Sequence, residues 1–243
     1  MTRLVTRGHM NASVRRSCAS LTIPLALAVA TVVTAVGAQT TRPRAPAASL
    51  ARPTAGPKTP DADGFLRRWL LLEPQTLNGQ LTQTAVQAAV TTEEFRGQLT
   101  TFPREGDTVK AGTTQLAWHA VDTLAYNVNL YHFAYALNKP TSNVLFSVAT
   151  VVHAPRELKD VRLAIGSNAA SVWWVNGKEV IGIYNDRQTV VDDGVSKRLT
   201  LKQGANVIRA AILNAGGATD FCARFFDADD RPLKGITITL SEK

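Results

Sequence analysis

The stretch "SVWWVNGKEVIGIY", Ser171 to Tyr184, decides the fold. Two adjacent tryptophans run into Asn176-Gly177, and an apolar run follows. Asn-Gly between such runs is the strongest short hairpin signal, because a type I′ turn needs positive φ at both central residues. Neighbouring side chains of a strand point to opposite faces. Val172 and Trp174 therefore share one face, and Ser171, Trp173 and Val175 share the other. One indole belongs to the core, and the other is left to meet something else.

The same period of two continues on both sides of the hairpin. "NVLFSVATVVH", Asn143 to His153, sends Val144, Phe146, Val148 and Val152 to one face. "KDVRLAIGS" alternates Val161, Leu163 and Ile165 against charged or small residues, and "KRLTL" alternates Leu199 and Leu201. "ANVIRAAIL" puts Ile208, Ala210 and Ile212 on one face and Val207, Arg209, Ala211 and Leu213 on the other. "FLRRWLLLE", "TQLAWHAV", "LYHFAYAL", "DFCARFFD" and "KGITITLS" complete about nine or ten strands, separated by turn signals every 8 to 12 residues or so. Gly204-Ala205-Asn206, Gly216-Gly217 and Asp229-Asp230 are such signals. One segment has helical period instead. "NGQLTQTAVQAAVTTEEFRG" places Leu81, Ala85, Val86 and Ala89 on one stripe. The pattern predicts an all-β antiparallel sandwich with one short helix near its N-terminal end.

The first 60 residues read differently. Arg3, Arg7, Arg15 and Arg16 precede the apolar run "LTIPLALAVATVVTAV", and Val36-Gly37-Ala38 follows as a small-residue cleavage pattern. Residues 1–38 are expected to be an export signal. Counted from Met10 rather than Met1, the positive region has a more usual length. The apolar run is shorter than the roughly 20 residues of a spanning helix, so no stable membrane span is expected after cleavage. Cys18 precedes that run, which argues against a lipoprotein cysteine. Residues 39–60, rich in Pro, Ala, Thr and Arg and without an aromatic or acidic residue, are expected to form a disordered linker. The expected localisation is secreted, periplasmic or at the cell envelope.

This division relocates the charge. The chain has 27 Lys and Arg against 19 Asp and Glu, a net +8. Eight of the bases and none of the acids precede residue 61, so 19 bases face 19 acids over 61–243. A nucleic-acid-binding domain carries its excess positive charge on the folded part, and none is expected here. With Cys18 in the signal, Cys222 has no intrachain partner, and the domain must stand on its hydrophobic core.

From about Asn143 onward the chain resembles the galactose-binding-like jelly roll. "GSNAASVWWVNGKEVIG", "VDDGVSKRLTLKQGANVIRAAILN" and "DFCARFFD" carry the resemblance. They are similar to the sugar-binding domain of family 2 glycoside hydrolases and to related accessory modules of exported bacterial proteins. The shared pattern is an aromatic strand, the Asn176-Gly177 turn with Lys178 after it, the acids Asp192 and Asp193, and the corner Lys202-Gln203-Gly204-x-Asn206. The resemblance covers about 100 residues of the folded part, and residues 61–125 match less well. It implies that Trp174 is core and that Trp69 points inward. It also implies a module that supports carbohydrate-active proteins without catalysing a reaction, since this jelly roll serves many purposes. A structural calcium occurs in such folds. Asp192, Asp193, Asp227, Asp229 and Asp230 are the oxygen donors it would draw on, but no loop has calcium-loop spacing. No cofactor is expected.

If Trp174 is core, Trp173 is free to face solvent, the helix, the N-terminal segment or a ligand. An exposed indole stacks on a sugar face. "AYNVNLYHFAYAL" adds Tyr126, Tyr131, His132, Phe133 and Tyr135, with amides from Asn127 and Asn129. Read as a strand, it places Tyr131, Phe133 and Tyr135 on one face, a pattern that also suits a core. The expected contact set is Trp173, Lys178, Tyr126, Tyr131 and His132, for a carbohydrate or for an envelope protein partner. Catalysis has little support. His119, His132 and His153 are isolated, "GSNAAS" does not meet the serine-hydrolase elbow, and Cys222 alternates with apolar residues as an inert core thiol does. The carboxylate pairs Glu93/Glu94, Asp192/Asp193 and Asp229/Asp230 are sequence neighbours, whereas a glycosidase needs two facing across a bond.

Overall fold

The computed structural model describes residues 50–168, 170–185 and 187–242, all within the unit Arg44–Lys243. The expected signal, 1–38, and the first part of the expected linker, 39–49, lie outside the described residues. Two antiparallel sheets form a sandwich. The larger has the order β1 (Leu50–Ala51), β5 (Thr114–Thr123), β2 (Arg68–Leu72), β7 (Val144–Ala154), β13 (Gly204–Asn214), β9 (Ser171–Val175) and β10 (Lys178–Ile183). β3 (Gln75–Thr76) and β15 (Thr237–Thr239) also pair with β7, and β4 (Thr108–Ala111) pairs with β5. The smaller sheet has the order β11 (Gly194–Val195), β8 (Leu158–Ser167), β14 (Asp220–Phe226) and β6 (Val128–Asn129), with β12 (Leu199–Leu201) also on β8.

The spine is the β7–β13 pair, in register from Gly204 opposite Ala154 to Asn214 opposite Val144. Its inward face carries the residues that the alternation selects. Val144, Phe146, Val148, Val152, Ile208, Ala210 and Ile212 meet Val161, Leu163 and Ile165 of β8 in one core. Trp69 and Trp173 from the large sheet and Phe221 from the small one close its centre. The ring centroids are 6.2, 5.0 and 5.5 Å apart, all edge-to-face. Both of these indole N–H groups have a partner: Trp69 donates to the Leu66 carbonyl and Trp173 to the Ser171 hydroxyl. Edge-to-face packing suits the positive ring edge and negative ring face.

The Asn176-Gly177 turn has the expected left-handed backbone, φ 52° and 79°. Asn176 also ties the hairpin to β13, donating to Asn206 Oδ1 at 2.9 Å and accepting from the Val207 amide at 3.0 Å. Gly204 has φ 82° at the corner before β13. The fully buried Asn206 amide accepts from the Lys202 N–H at 2.9 Å and donates to the Lys202 carbonyl at 2.8 Å. These bonds supply the backbone partners that a sharp buried corner would otherwise lack.

The large sheet is covered on its outer face too. Helix α1 (Gln83–Thr91), capped by Thr82, lays Val86, Ala89 and Val90 over Leu145, Val172, Trp174, Ala211 and Leu213. Phe95 and Phe102 cover Leu70, Leu72, Trp118 and Ala149 beside it. Segment 77–111 thus adds a third layer, and the strands beneath are apolar on both faces, as doubly buried strands are.

Three expectations are corrected. The tyrosine-rich segment is not a strand. After the two-residue β6 it forms a second helix, α2 (Leu130–Ala136), where one helix was expected. Leu130, Phe133 and Ala134 are buried at i, i+3 and i+4, and Asn129 Oδ1 caps the His132 amide at 2.7 Å. Secondly, residues 50–60 of the expected linker are packed. Leu50 and Ala51 pair with Thr123 and Asp122, and Lys58 exchanges two backbone bonds with Ile238. Thirdly, Trp173 lies wholly inside the sandwich. The strand count is also exceeded among the described residues, because pairs as short as β1, β3, β6 and β11 carry no alternation to read.

Candidate functional site

The hairpins sort the loops into two ends. At one end lie the segments 138–143, 168–170, 184–193 and 215–219, joining α2 to β7, β8 to β9, β10 to β11 and β13 to β14. Lys178 sits at the other end, opposite Val175 where β10 begins. The contact set read from the sequence therefore divides. Tyr131 and His132 lie on α2 at the first end, Tyr126 on the segment between β5 and β6, Lys178 at the second end, and Trp173 in the core.

At the first end, α2 presents an aromatic surface. Tyr131 and Tyr135, one turn apart, hold their rings 6.2 Å apart and within 8° of parallel. His132 is exposed, with its ring centroid 6.0 Å from that of Tyr131. Tyr135 is 48% exposed and Tyr126 45%. Tyr126 rests 5.3 Å from Phe65, whose ring lies under the Arg224 guanidinium at 4.7 Å. The amides expected to contact a ligand are committed to the fold. Asn129 caps α2, and Asn127 donates to Asp220 Oδ2 at 2.5 Å. Thr189 also donates to the Asp220 carboxylate, which fastens the segment 187–193 to β14. That segment crosses close over β8: a Cβ on Gly166 would stand 2.3 Å from the Val190 carbonyl oxygen. Glycine is needed there for the approach of one backbone to another.

Asp192, Asp193, Asp227 and Asp230 are paired or bonded to backbone. Asp192 accepts from Arg224 Nε at 2.9 Å and from its Nη2, Asp193 pairs with Arg187, and Asp230 pairs with Arg162 at 2.7 Å and with Arg198. Asp227 Oδ1 accepts the backbone amides of Asp229 and Arg231. Among the described residues, no three His, Cys, Asp or Glu side chains converge as a metal site would require. Cys222 is buried, and that burial pushes its thiol up to about 11. Such a thiol stays protonated and is a poor nucleophile.

The second end carries a groove of about 1210 Å³ between Pro155–Val161 and Asp227–Gly235. Arg156, Lys159, Arg231 and Lys234 alternate there with Glu157, Asp160 and Asp227, and no aromatic ring lines it. Lys178 borders a separate groove of about 410 Å³ with Lys197 and Arg198. No helix among the described residues is long and apolar enough to cross a membrane.

The class the coordinates define is a two-sheet antiparallel β-sandwich with a covering helix and loop layer. No protein-family model matches the chain, and no curated protein does. Among solved structures it is similar to β-glucosidase from Kluyveromyces marxianus, with 18% identity and a TM-score of 0.38, over 66% of this chain and 17% of that one. It is similar to the PA14 domain of the antifreeze protein MpAFP, with 13% identity and a TM-score of 0.38, over 76% of this chain and 92% of that domain. The GH31 α-xylosidase Xac1773 from Xanthomonas citri matches at 8% identity and a TM-score of 0.27, over 79% of this chain and 19% of that one. The chain thus spans under a fifth of either hydrolase, and likeness at this level says nothing of what it binds.

Proposed function

We propose that this chain is an exported, non-catalytic binding module of the jelly-roll kind, and that it holds carbohydrate at the α2 end of the sandwich. The nearly parallel Tyr131 and Tyr135 rings carry the reading, with the exposed His132 beside them. Tyrosine joins a flat apolar face to a hydroxyl, which suits a sugar ring with apolar C–H faces and a polar rim. The pairing of Asp192, Asp193 and Asp230 with arginines supports a role without chemistry, since those carboxylates are held by the fold. The balance of charge over 61–243 supports a partner other than nucleic acid.

A second reading, an assembly module that meets an envelope protein, is favoured by Leu124, 66% exposed, and Val190, 57% exposed. Aliphatic side chains match a protein surface better than a sugar. Retention on polysaccharide matrices and a glycan array separates the two. Carbohydrate binding predicts that Tyr131→Ala and Tyr135→Ala each weaken retention about threefold to tenfold, with the melting temperature nearly unchanged. No glycan bound, together with partner capture that Leu124→Ser abolishes, would establish the assembly module instead.

A further inference from the structure

We propose that the cavity beside Arg209 is a binding site for a small oxyanion, independent of the aromatic end. Arg209 stands on the outer face of the large sheet, in β13 between Ala149 and Trp174, under the covering segment 92–107. It is 5% exposed, and no carboxylate of the described residues lies within ion-pairing distance. Its Nη1 donates to the Gln98 carbonyl at 3.0 Å. Nε is buried and has no partner, and Phe102 lies 5.7 Å from the guanidinium carbon. Glu242 favours its charge through space, without a hydrogen bond. A buried guanidinium with no acid bonded to it is disfavoured, so its free edge suits an anion.

Two other arginines show what that edge of the guanidinium is suited to. Arg68 turns Nε and Nη2 to the two oxygens of Asp122, at 2.8 and 2.9 Å. Arg224 turns the same two nitrogens to Asp192. This side-on fork is the strong, charge-assisted geometry for a carboxylate or phosphate. In Arg209 the chain supplies no such acid, and a cavity of about 220 Å³ adjoins the side chain instead. Trp118 and Phe95 give that cavity apolar walls, and Arg96 and Asp107 sit at its exposed margin. Its size is ample for a small carboxylate or inorganic phosphate.

The test follows the Arg209 Nε–H resonance of the full-length protein while acetate or phosphate is added at constant ionic strength with chloride. The expected result is a saturating shift of Arg209 with one or both anions, while Arg68 and Arg224 stay still. Saturation by acetate alone assigns a carboxylate ligand, by phosphate alone a phosphate, and by both an unselective oxyanion site. Arg96→Glu, at an exposed position, should leave the fold intact and weaken binding about threefold to tenfold. An Arg209 resonance that moves with neither anion, or equally with chloride, overturns the proposal.

Discussion

Trp173 and Trp174 differ by one position and by the layer that covers them. Trp173 meets Trp69 and Phe221 between the sheets, while Trp174 faces outward and is roofed by α1. Alternation places the two rings on opposite faces. It does not say which face has a second sheet and which a helix. The outward residues Ala211 and Leu213 were legible as apolar, and a strand apolar on both sides signals cover on both. Trp173→Ala should therefore cost about 3–5 kcal/mol, read from the urea midpoint. Tyr135→Ala should shift the midpoint by no more than about 0.5 kcal/mol. If Trp173→Ala proved equally neutral, the three-ring centre would not be the heart of this core.

The element that escaped an alternating reading is α2. Leu130, Phe133, Ala134 and Leu137 follow Asn129 at i, i+3, i+4 and i+7, which is the stripe of a capped helix. Aromatic richness made the segment resemble a strand, because Tyr and Phe favour strands. Burial of the stripe against the core settles it for the helix, and the helix turns Tyr131 and Tyr135 to the same side. Asn129→Ala should cost about 1 kcal/mol and speed hydrogen exchange at the His132 amide. Asn129→Asp keeps the acceptor and should restore protection. Equal protection in the alanine variant would mean that packing alone holds the first turn. β6 is too short to read from any sequence, since a two-residue strand exists only through its partner, Asp220 and Phe221.

Across the whole molecule, the N-terminal segment is closed by a buried charge cluster. Asp122 takes Arg68 side-on, Lys58 at 3.0 Å and the Thr54 amide at 3.3 Å, while Arg68 also donates to the carbonyls of Thr54 and Gly56. Burial alone would raise the Asp122 carboxyl, but the bonds from Arg68 and Lys58 outweigh it and hold the group below its usual value. A carboxyl lowered by folding stabilises the folded state above its unfolded pKa, and that contribution is lost as pH falls through the folded value. Residues 50–58 should accordingly detach as pH drops below the ordinary carboxylate range. Hydrogen exchange at Lys58 and Ile238 reports the detachment directly. Asp122→Asn should leave the segment loose at neutral pH and remove the acid dependence. Unchanged exchange at those amides down to low pH would assign the attachment to the β1 and Lys58 backbone bonds instead.

The sequence by itself determined the sandwich, its central strands, the Asn176-Gly177 hairpin and the Gly204–Asn206 corner. Each rests on local chemistry: a two-residue period, a positive φ, an amide that bonds its own neighbours. Only the tertiary structure decided that both indoles are enclosed, that Lys178 and the α2 tyrosines lie at opposite ends, and that residues 50–58 belong to the fold. Those outcomes depend on which distant segment covers a given face. A chain of Pro, Ala, Thr and Arg shows no core pattern, yet it is held where Asp122, far along the sequence, offers it a partner.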